Sequence, residues 1–342
     1  MTQQVLVTGG SGFVGAYCVL ELLRAGYRVR TTIRTPARAA DVRAQLRAGG
    51  VEPGEELTFA VADLTSDDGW VEAVAGCDFV QHVASPFPSG EPRHEDDLII
   101  PARDGALRVL RAARDAGVGR VVLTSSFAAI GYGHRATERP FTEKDWTELD
   151  SGVPISSYVK SKTLAERAAW DFLEREGGGL ELATINPVGI LGPLLGKDYS
   201  SSVRLIKTVA DGRLPRLPRM SFGVVDVRDV ALLHRLAMVQ PEAAGERFLA
   251  ISGDVMSAQE LALLIRGRLG PTGKRISTKL MPDWVLRTLA PFSKTVRSGL
   301  GDMGAVRRAS AEKARLTLGW NPIPREESVF ATVDSLYSLN PE

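Results

Sequence analysis

A glycine turn near the amino terminus constrains the fold more than any other feature. The apolar run Gln4–Thr8 has the length and composition of a buried strand, and the segment GGSGFVG follows it at residues 9–15. The spacing of apolar residues then predicts a helix over 16–25, and the β-rich run 27–33 predicts a second strand. Strand, glycine turn, helix and strand make a βαβ unit, which is typical of a parallel α/β sheet.

Each glycine of this turn has a predicted task. Gly9 and Gly12 permit a tight turn and let the backbone approach a pyrophosphate, while Gly15 lets the helix pack closely on the strand. Free N–H groups at the start of the helix then face the phosphates. We therefore predict that the turn binds a dinucleotide. The predicted contacts are Gly9, Ser11, Gly12, Phe13, Val14 and Gly15.

The end of the second strand selects the cofactor. An NAD site usually has an acid there, which bonds the ribose 2′-hydroxyl. This chain instead has Arg34 and Arg38 within the segment IRTPAR, and no acid. A guanidinium suits a 2′-phosphate by its charge and its planar fork of donors. We therefore predict that both arginines bind NADP, with the alternative that Arg38 only starts the next helix.

The alternation of strands and helices continues through the first half of the chain. Strands are predicted at 57–61, 78–83, 120–125 and 180–185, with a long helix at 96–116. This spacing predicts a doubly wound parallel sheet, in which ligands bind at the carboxyl ends of the strands. Further cofactor contacts are predicted there: Asp63, Leu64, Val83, Ala84, Ser85, Thr124, Pro187 and Val188. Asp63 either bonds the adenine amino group or caps a helix starting near Ser66.

In the carboxyl half, strands and helices no longer alternate regularly. A loop is predicted at 189–196, a helix at 200–211, a strand at 221–227 and another at 247–251. We expect residues 1–187 plus about 221–252 to form the cofactor domain, and about 188–220 plus 253–342 to form a mainly helical substrate cap. The predicted substrate contacts are mostly apolar and favour a hydrophobic or aromatic carbonyl compound: Phe87, Phe127, Val188, Tyr199 and Phe222.

Composition excludes several classes of function. The net charge is +1 and 24% of residues are charged, so nothing favours nucleic acid or an acidic membrane as a partner. No segment reaches the ~18 apolar residues of a membrane span. The four histidines lack ligand spacing, so we expect no metal site. Cys18 and Cys77 lie in apolar segments, which predicts buried free thiols and a cytoplasmic location. A small-molecule substrate and a monomer or homodimer are expected.

The chemistry is predicted to centre on Tyr158 and Lys162. They are four residues apart in a predicted helix that Ser156 or Ser157 can cap, so both lie on one helix face. An ammonium beside a phenol lowers a pKa that starts near ~10, and such a tyrosine can exchange a proton with an alcohol or carbonyl. Alone, the pair proves little, because Tyr-x-x-x-Lys also occurs by chance in an amphipathic helix with a surface lysine.

Several motifs together identify a family. The glycine turn, Thr124-Ser-Ser126, Tyr158-x-x-x-Lys162 and Asn186-Pro187 resemble the short-chain dehydrogenases/reductases of the extended type. The segments His82-Val-Ala-Ser-Pro86 and Phe141-Thr-Glu-Lys-Asp-Trp146 narrow the resemblance. The chain is similar to the branch that contains dihydroflavonol reductases, cinnamoyl-CoA reductases and NADPH-dependent aldehyde/ketone reductases of yeast and bacteria.

This resemblance implies a Rossmann-type fold and an NADPH-dependent carbonyl reductase. It implies a catalytic group of Ser126, Tyr158 and Lys162, with Ser125 as the rival serine, and it gives Lys162 the ribose hydroxyls of the cofactor. Three alternatives remain open: an NAD-dependent nucleotide-sugar epimerase or dehydratase, a 3β-hydroxysteroid dehydrogenase, and a non-catalytic NADP-sensing regulator.

Overall fold

The first half of the chain alternates strands and helices as predicted. The computed structural model describes residues 2–86, 92, 94–134, 139–197, 199–289, 291 and 303–339. The elements up to the fifth strand are β1 (Gln4–Thr8), α1 (Phe13–Arg24), β2 (Arg28–Ile33), α2 (Arg38–Ala48), β3 (Leu57–Val61), α3 (Trp70–Val74), β4 (Phe79–His82), α4 (Asp96–Asp115) and β5 (Arg120–Thr124). A 3-10 turn (Phe127–Ala129) follows, and then α5 (Ser157–Glu176).

The second half adds shorter elements. They are β6 (Glu181–Pro187), β7 (Gly189–Leu191), α6 (Ser201–Ala210), β8 (Ser221–Phe222), β9 (Val224–Asp226), α7 (Val227–Val239), β10 (Arg247–Ala250), β11 (Met256–Ser257), α8 (Ala258–Leu269), α9 (Asp283–Leu289), α10 (Glu312–Leu318) and α11 (Arg325–Leu339). Two further 3-10 turns lie at Pro241–Ala243 and Gly270–Arg275.

Seven of the described strands form one parallel sheet, in the order β10-β6-β5-β4-β1-β2-β3. The order reverses at β1, which pairs with β2 on one side and β4 on the other. In a doubly wound sheet, the crevice at such a reversal is the usual ligand site. The predicted Rossmann-type fold is therefore confirmed, and its switch point lies beside the glycine turn.

Alternate residues of the strands pack on opposite faces of this sheet, because side chains along a strand point alternately up and down. Val5 and Val7 of β1 lie in a cluster with α1 and α7. Leu6 and Val80 lie in a second cluster, with α3, α4 and α5. Cys18 and Cys77, one in each cluster, are buried free thiols as predicted.

A third cluster forms the cap, where helices α6, α8 and α11 pack together. Two predictions are wrong in this region. Residues 189–191 are not loop but strand β7, which pairs with β9. The predicted strand 221–227 is two strands, β8 pairing with β11 and β9 with β7, and neither joins the main sheet.

Gly223 lies between β8 and β9, and its backbone packs closely against two apolar side chains. A Cβ on Gly223 would lie 2.8 Å from Ile251 Cδ1 and 2.9 Å from Val188 Cγ1. The backbone therefore passes between these side chains, and its carbonyl accepts a hydrogen bond from Gly189 N at 3.1 Å. Within the residue ranges given above, no helix combines the length and apolar character needed to cross a membrane.

Candidate active site

The glycine turn forms an open anion cradle at the start of α1. Gly12 precedes the helix and no side chain caps its first N–H groups. Gly9 has φ +72°, a conformation that glycine adopts without steric cost, and its carbonyl accepts from Gly12 N at 3.0 Å. Uncapped N–H groups at a helix start favour phosphate. The turn thus fits the pyrophosphate of a dinucleotide, with Ser11, Phe13 and Val14 on the same segment.

The structure gives other reasons for the glycines of this turn than the sequence prediction did. A Cβ on Gly15 would lie 2.2 Å from the Gly9 carbonyl oxygen, so Gly15 is required against the turn rather than against a strand. Gly10 was not among the predicted contacts, yet a Cβ there would lie 2.1 Å from Thr31 Oγ1. Thr31 accepts from Gly10 N at 3.1 Å and donates to the Val7 carbonyl at 2.8 Å.

Arg34 lies exposed just after β2, at the carboxyl edge of the sheet. Its charge helps to hold the pKa of Asp63 below the usual range, after the larger effect of hydrogen bonds from Thr65. Arg38 is the first residue of α2, and its guanidinium lies 3.2 Å from the carboxylate of Asp41. An exposed guanidinium at this edge fits a 2′-phosphate.

Asp63 is held by its own turn. Its Oδ1 accepts from Thr65 N at 2.8 Å and from Thr65 Oγ1 at 2.6 Å. The next helix, α3, begins only at Trp70, so the predicted helix start near Ser66 is wrong and Asp63 does not cap a helix. Leu64 packs against α4, where a Cβ on Gly105 would lie 3.0 Å from its Cβ.

The end of β4 is fixed by a threonine of β1. Thr8 Oγ1 accepts from the backbone N–H groups of Val83 and Ala84 at 3.0 and 2.9 Å. Both of its lone pairs are then used, so its proton goes to His82 Nδ1 at 2.8 Å. His82 is neutral, because burial and the nearby Lys162 charge lower its pKa to about 3. The predicted cofactor contacts Val83 and Ala84 therefore lie on a rigid strand end.

Tyr158 and Ser126 lie together beyond the end of β5. Tyr158 is in the first turn of α5, which Ser156 caps by accepting from Val159 N at 3.3 Å. Its hydroxyl shares a hydrogen bond with that of Ser126, which lowers the pKa of Tyr158. Burial of the phenol is the larger effect and raises that pKa overall. The lowering expected from Lys162 is therefore not what this structure shows.

Lys162 lies one helical turn further along α5 and is 8% exposed. Its Nζ donates to Ser85 Oγ at 3.0 Å, so Ser85 orients the ammonium from the end of β4. Burial lowers the pKa of Lys162 to about 8, while the charge of Glu166 opposes this shift. The alternative of a solvated surface lysine is excluded by this burial.

Thr124, at the end of β5, is occupied within the protein. His234 Nδ1 donates to the Val230 carbonyl at 2.7 Å, so its Nε2 accepts from Thr124 Oγ1 at 2.7 Å. Pro187 ends β6 and is buried, and Val188 N donates to the Ala250 carbonyl at 3.1 Å. The ends of β4, β5 and β6 thus lie on the same edge of the sheet as the glycine turn after β1.

Comparison with known proteins now identifies the family. The family model described as "NAD dependent epimerase/dehydratase family" matches residues 5–250, well over half of the chain. The chain belongs to this family. This finding confirms the extended short-chain dehydrogenase/reductase type that the motifs predicted.

Two relatives indicate the branch of the family to which the chain is similar. A tetraketide α-pyrone reductase of Arabidopsis thaliana is 35% identical over 270 residues, which cover 78% of this chain and 82% of that protein. A cinnamoyl-CoA reductase of Medicago truncatula is 33% identical over 338 residues, or 97% and 95% of the two chains. The predicted branch is confirmed, and with it the class of enzyme, an oxidoreductase acting on CH–OH or carbonyl groups.

A solved structure agrees over the whole fold. The yeast methylglyoxal/isovaleraldehyde reductase complexed with NADPH has a TM-score of 0.76 and 25% identity, and the match covers 98% of each chain. The family fold therefore extends through the cap and is not limited to the sheet.

The predicted substrate contacts of this short-chain dehydrogenase/reductase do not share one cluster. Phe127 is buried against Phe141, and Val188 packs beside them. Tyr199 and Phe222 pack instead on the cap cluster. Phe87 lies outside the described residues. The structure therefore divides the predicted contacts between the sheet side and the cap side.

Sequence reasoning missed a buried carboxylate behind the site. Glu166 is 1% exposed and accepts hydrogen bonds from strands β6 and β10 and from Ser125, which follows β5. Its position four residues after Lys162 was the available signal, because such residues lie on one helix face. Within the described part of the chain, no group of three or more His, Cys, Asp or Glu side chains is arranged to hold a metal ion.

Proposed function

We propose that this protein is an NADPH-dependent carbonyl reductase, which converts a hydrophobic or aromatic ketone or aldehyde to an alcohol and runs reversibly. The observation that carries the proposal is the hydrogen-bonded pair of hydroxyls on Ser126 and Tyr158, with the buried Lys162 one turn away. A proton donor and an orienting hydroxyl are what the reduction of a carbonyl needs from the protein.

The cofactor is NADPH. The uncapped start of α1 and the glycine turn fit the pyrophosphate, and Arg34 supplies the positive charge that a 2′-phosphate needs. The solved yeast relative described above was complexed with NADPH. When bound, NADPH supplies the hydride, which is the chemistry that no side chain can provide.

The side chains supply geometry and protons. Ser126 donates a hydrogen bond to the carbonyl oxygen of the substrate and fixes its direction. Tyr158 donates its phenolic proton to the same oxygen as negative charge develops there. Lys162 keeps a positive charge beside the site, holds the ribose hydroxyls and favours the phenolate that remains after proton transfer. In the oxidative direction Tyr158 takes the proton back.

The two parts of the chain divide these tasks. We assign cofactor binding to residues 1–187 plus about 221–252, and substrate selection to about 188–220 plus 253–342. Strand β10, which joins the main sheet, supports the inclusion of the second segment. The pairing of β8 and β9 outside that sheet ties residues 221–226 to the cap as well.

The relatives support an aromatic or conjugated substrate. Their names specify a tetraketide α-pyrone and cinnamoyl-CoA. The apolar side chains of Phe127, Val188, Tyr199 and Phe222 are of the type that would contact such a compound.

The experiment is the loss of NADPH absorbance with a panel of aromatic ketones and aldehydes, with a 3β-hydroxysteroid and NADP added as a separate arm. We expect consumption of NADPH by at least one aromatic carbonyl compound. An epimerase would interconvert nucleotide sugars without net consumption of cofactor. Oxidation of the steroid alone, or binding of NADPH without any turnover, would contradict the proposal.

A further inference from the structure

The buried carboxylate of Glu166 lies next to the proposed catalytic group, where it is bonded to Ser125. The side chain of Glu166 has 0% exposure, and its donors come from α5, β6, β10 and the residue that follows β5. The donors are Ser125 Oγ, Asn186 Nδ2 at 2.7 Å, Arg247 Nε at 2.6 Å, Thr184 Oγ1 at 3.2 Å and Trp170 Nε1 at 3.4 Å. A buried carboxylate with this many donors is held rigidly.

These contacts fix the backbone on both sides of Ser126. Ser125 is bound to Glu166 directly through its hydroxyl. Asn186 bridges the next residue, because its Nδ2 donates both to Glu166 and, at 3.2 Å, to the carbonyl of Ser126. The position of the Ser126 hydroxyl therefore depends on Glu166, although the two side chains do not share a hydrogen bond.

Arg247 balances the charge of Glu166. Its guanidinium lies 3.7 Å from the ring centre of Trp146, and one Nη donates to the carbonyls of Glu143 and Asp145 at 2.7 and 2.9 Å. A buried carboxylate is strongly destabilising unless it is paired and hydrogen-bonded. The ion pair with Arg247 therefore offsets part of the cost of burying the Glu166 carboxylate.

Glu166 also acts on Lys162. A cavity of about 20 Å³ has both residues in its lining, together with His82 and Ser85. His82, from β4, is neutral, and Tyr158, on the same helix as Lys162, carries no charge below its raised pKa. Glu166 is the charge that opposes the effect of burial and raises the pKa of Lys162.

We propose that Glu166 is a positioning residue of the active site: its carboxylate holds the strand end that carries Ser126 and keeps Lys162 in the charged ammonium form. The catalytic consequence of this inference rests on the proposed function. The effect of Glu166 on Lys162 can be measured without turnover, so this inference and the proposed function can be tested separately.

The test compares Glu166→Gln with the double variant Glu166→Gln/Arg247→Met. The single variant leaves Arg247 buried without a counter-ion, which can prevent folding. The double variant removes both charges, so we expect it to fold. Glu174→Gln, on the exposed face of the same helix, is the matched control.

Two measurements decide the result. One is the ¹³Cε chemical shift of Lys162 against pH, assigned by its loss in Lys162→Met. The other is the pH profile of kcat. Lys162 loses its charge as the pH rises through its pKa, and removal of the Glu166 charge lowers that pKa. In Glu166→Gln, where Arg247 keeps its charge, we therefore expect the NMR midpoint and the alkaline limb of kcat to move down by about one pH unit, and in the double variant we expect a smaller shift in the same direction.

The double variant should also lose about tenfold in kcat at pH 7 through misplacement of Ser126, with its NADPH Kd nearly unchanged. A Lys162 midpoint equal to that of the unaltered protein would overturn the proposal. If the unaltered protein reduced no carbonyl compound, the proposed function would fail, and the NMR midpoint would still decide whether Glu166 controls Lys162.

Discussion

The carboxyl end of the seven-stranded sheet and the cap differ in what fixes their side chains. At the sheet, hydrogen bonds within 3.0 Å hold the strand ends, such as those from Val83 and Ala84 to Thr8 and from Lys162 to Ser85. In the cap, the ring of Phe222 packs against a hydrophobic cluster.

This difference separates the residues proposed for catalysis from those proposed to select the substrate. Hydrogen bonds have defined directions and lengths, so the sheet end can hold a proton donor within the narrow geometry that a reaction requires. Apolar packing is less directional and tolerates changes of shape, which suits a surface that selects a substrate. Changes at the sheet end should therefore affect turnover strongly, and changes in the cap should affect the choice of substrate mildly.

The largest effect is expected from Tyr158→Phe at the sheet end. This change removes the proton donor but keeps the ring, so kcat should fall by about a thousandfold. The Kd for NADPH, measured by fluorescence titration, should remain nearly the same because the glycine turn is untouched. Retention of most of the activity would show that the sheet end does not hold the proton donor.

The control for this variant is Tyr27→Phe, which removes a phenol oxygen from a partly buried residue outside the crevice. We expect normal kcat and normal NADPH binding. Equal losses in both variants would indicate a general effect on folding.

An intermediate effect is expected from Arg34→Ala, which tests the cofactor edge of the same region. Loss of a charge-assisted contact to the 2′-phosphate should lower kcat/KM for NADPH by about 10- to 100-fold. The value for NADH should hardly change, because NADH lacks that phosphate. Arg28→Ala, an exposed arginine at the opposite end of β2, is the control. Equal losses with NADPH and NADH would exclude a 2′-phosphate contact.

The smallest effect is expected in the cap, from Phe222→Ala. Loss of a partly buried ring should raise KM for an aromatic ketone by roughly fivefold, with little change in kcat. Steady-state kinetics with an aromatic and a small aliphatic carbonyl compound measure this, and the aliphatic KM should change less. Phe330→Ala, in the cap helix α11 beside Arg268, is the control. A fall in kcat as large as that of Tyr158→Phe would abolish the distinction between the regions.

Short-range patterns account for the parts of the fold that the sequence predicted. Strand β1 has its predicted bounds, and α5 begins within one residue of the predicted start, with Ser156 as its cap. The crevice was predictable because parallel strands bring their carboxyl ends to one edge. The proposed catalytic residues Ser126, Tyr158 and Lys162 came from motifs, and the structure places Ser126 and Tyr158 within hydrogen-bond distance of each other.

Contacts between distant parts of the chain escaped prediction. Gly10 is required by Thr31, 21 residues away, and Arg247 reaches Glu166 across 81 residues. No local spacing encodes such pairs, since they exist only after the sheet has assembled. The close packing at Gly223 has the same origin, because the side chains of Val188 and Ile251 that leave little room for a Cβ come from distant parts of the chain.

The amino-acid sequence by itself determined the order of strands and helices in the first half of the chain, the glycine turn and the positions of the hydroxyls and the ammonium proposed for catalysis. These follow from periodicity, turn chemistry and strand-end geometry, which act over a few residues. The tertiary structure alone decided the charge environment of Tyr158 and Lys162. Burial raises one pKa and lowers the other to about 8, and burial is a property of the assembled fold.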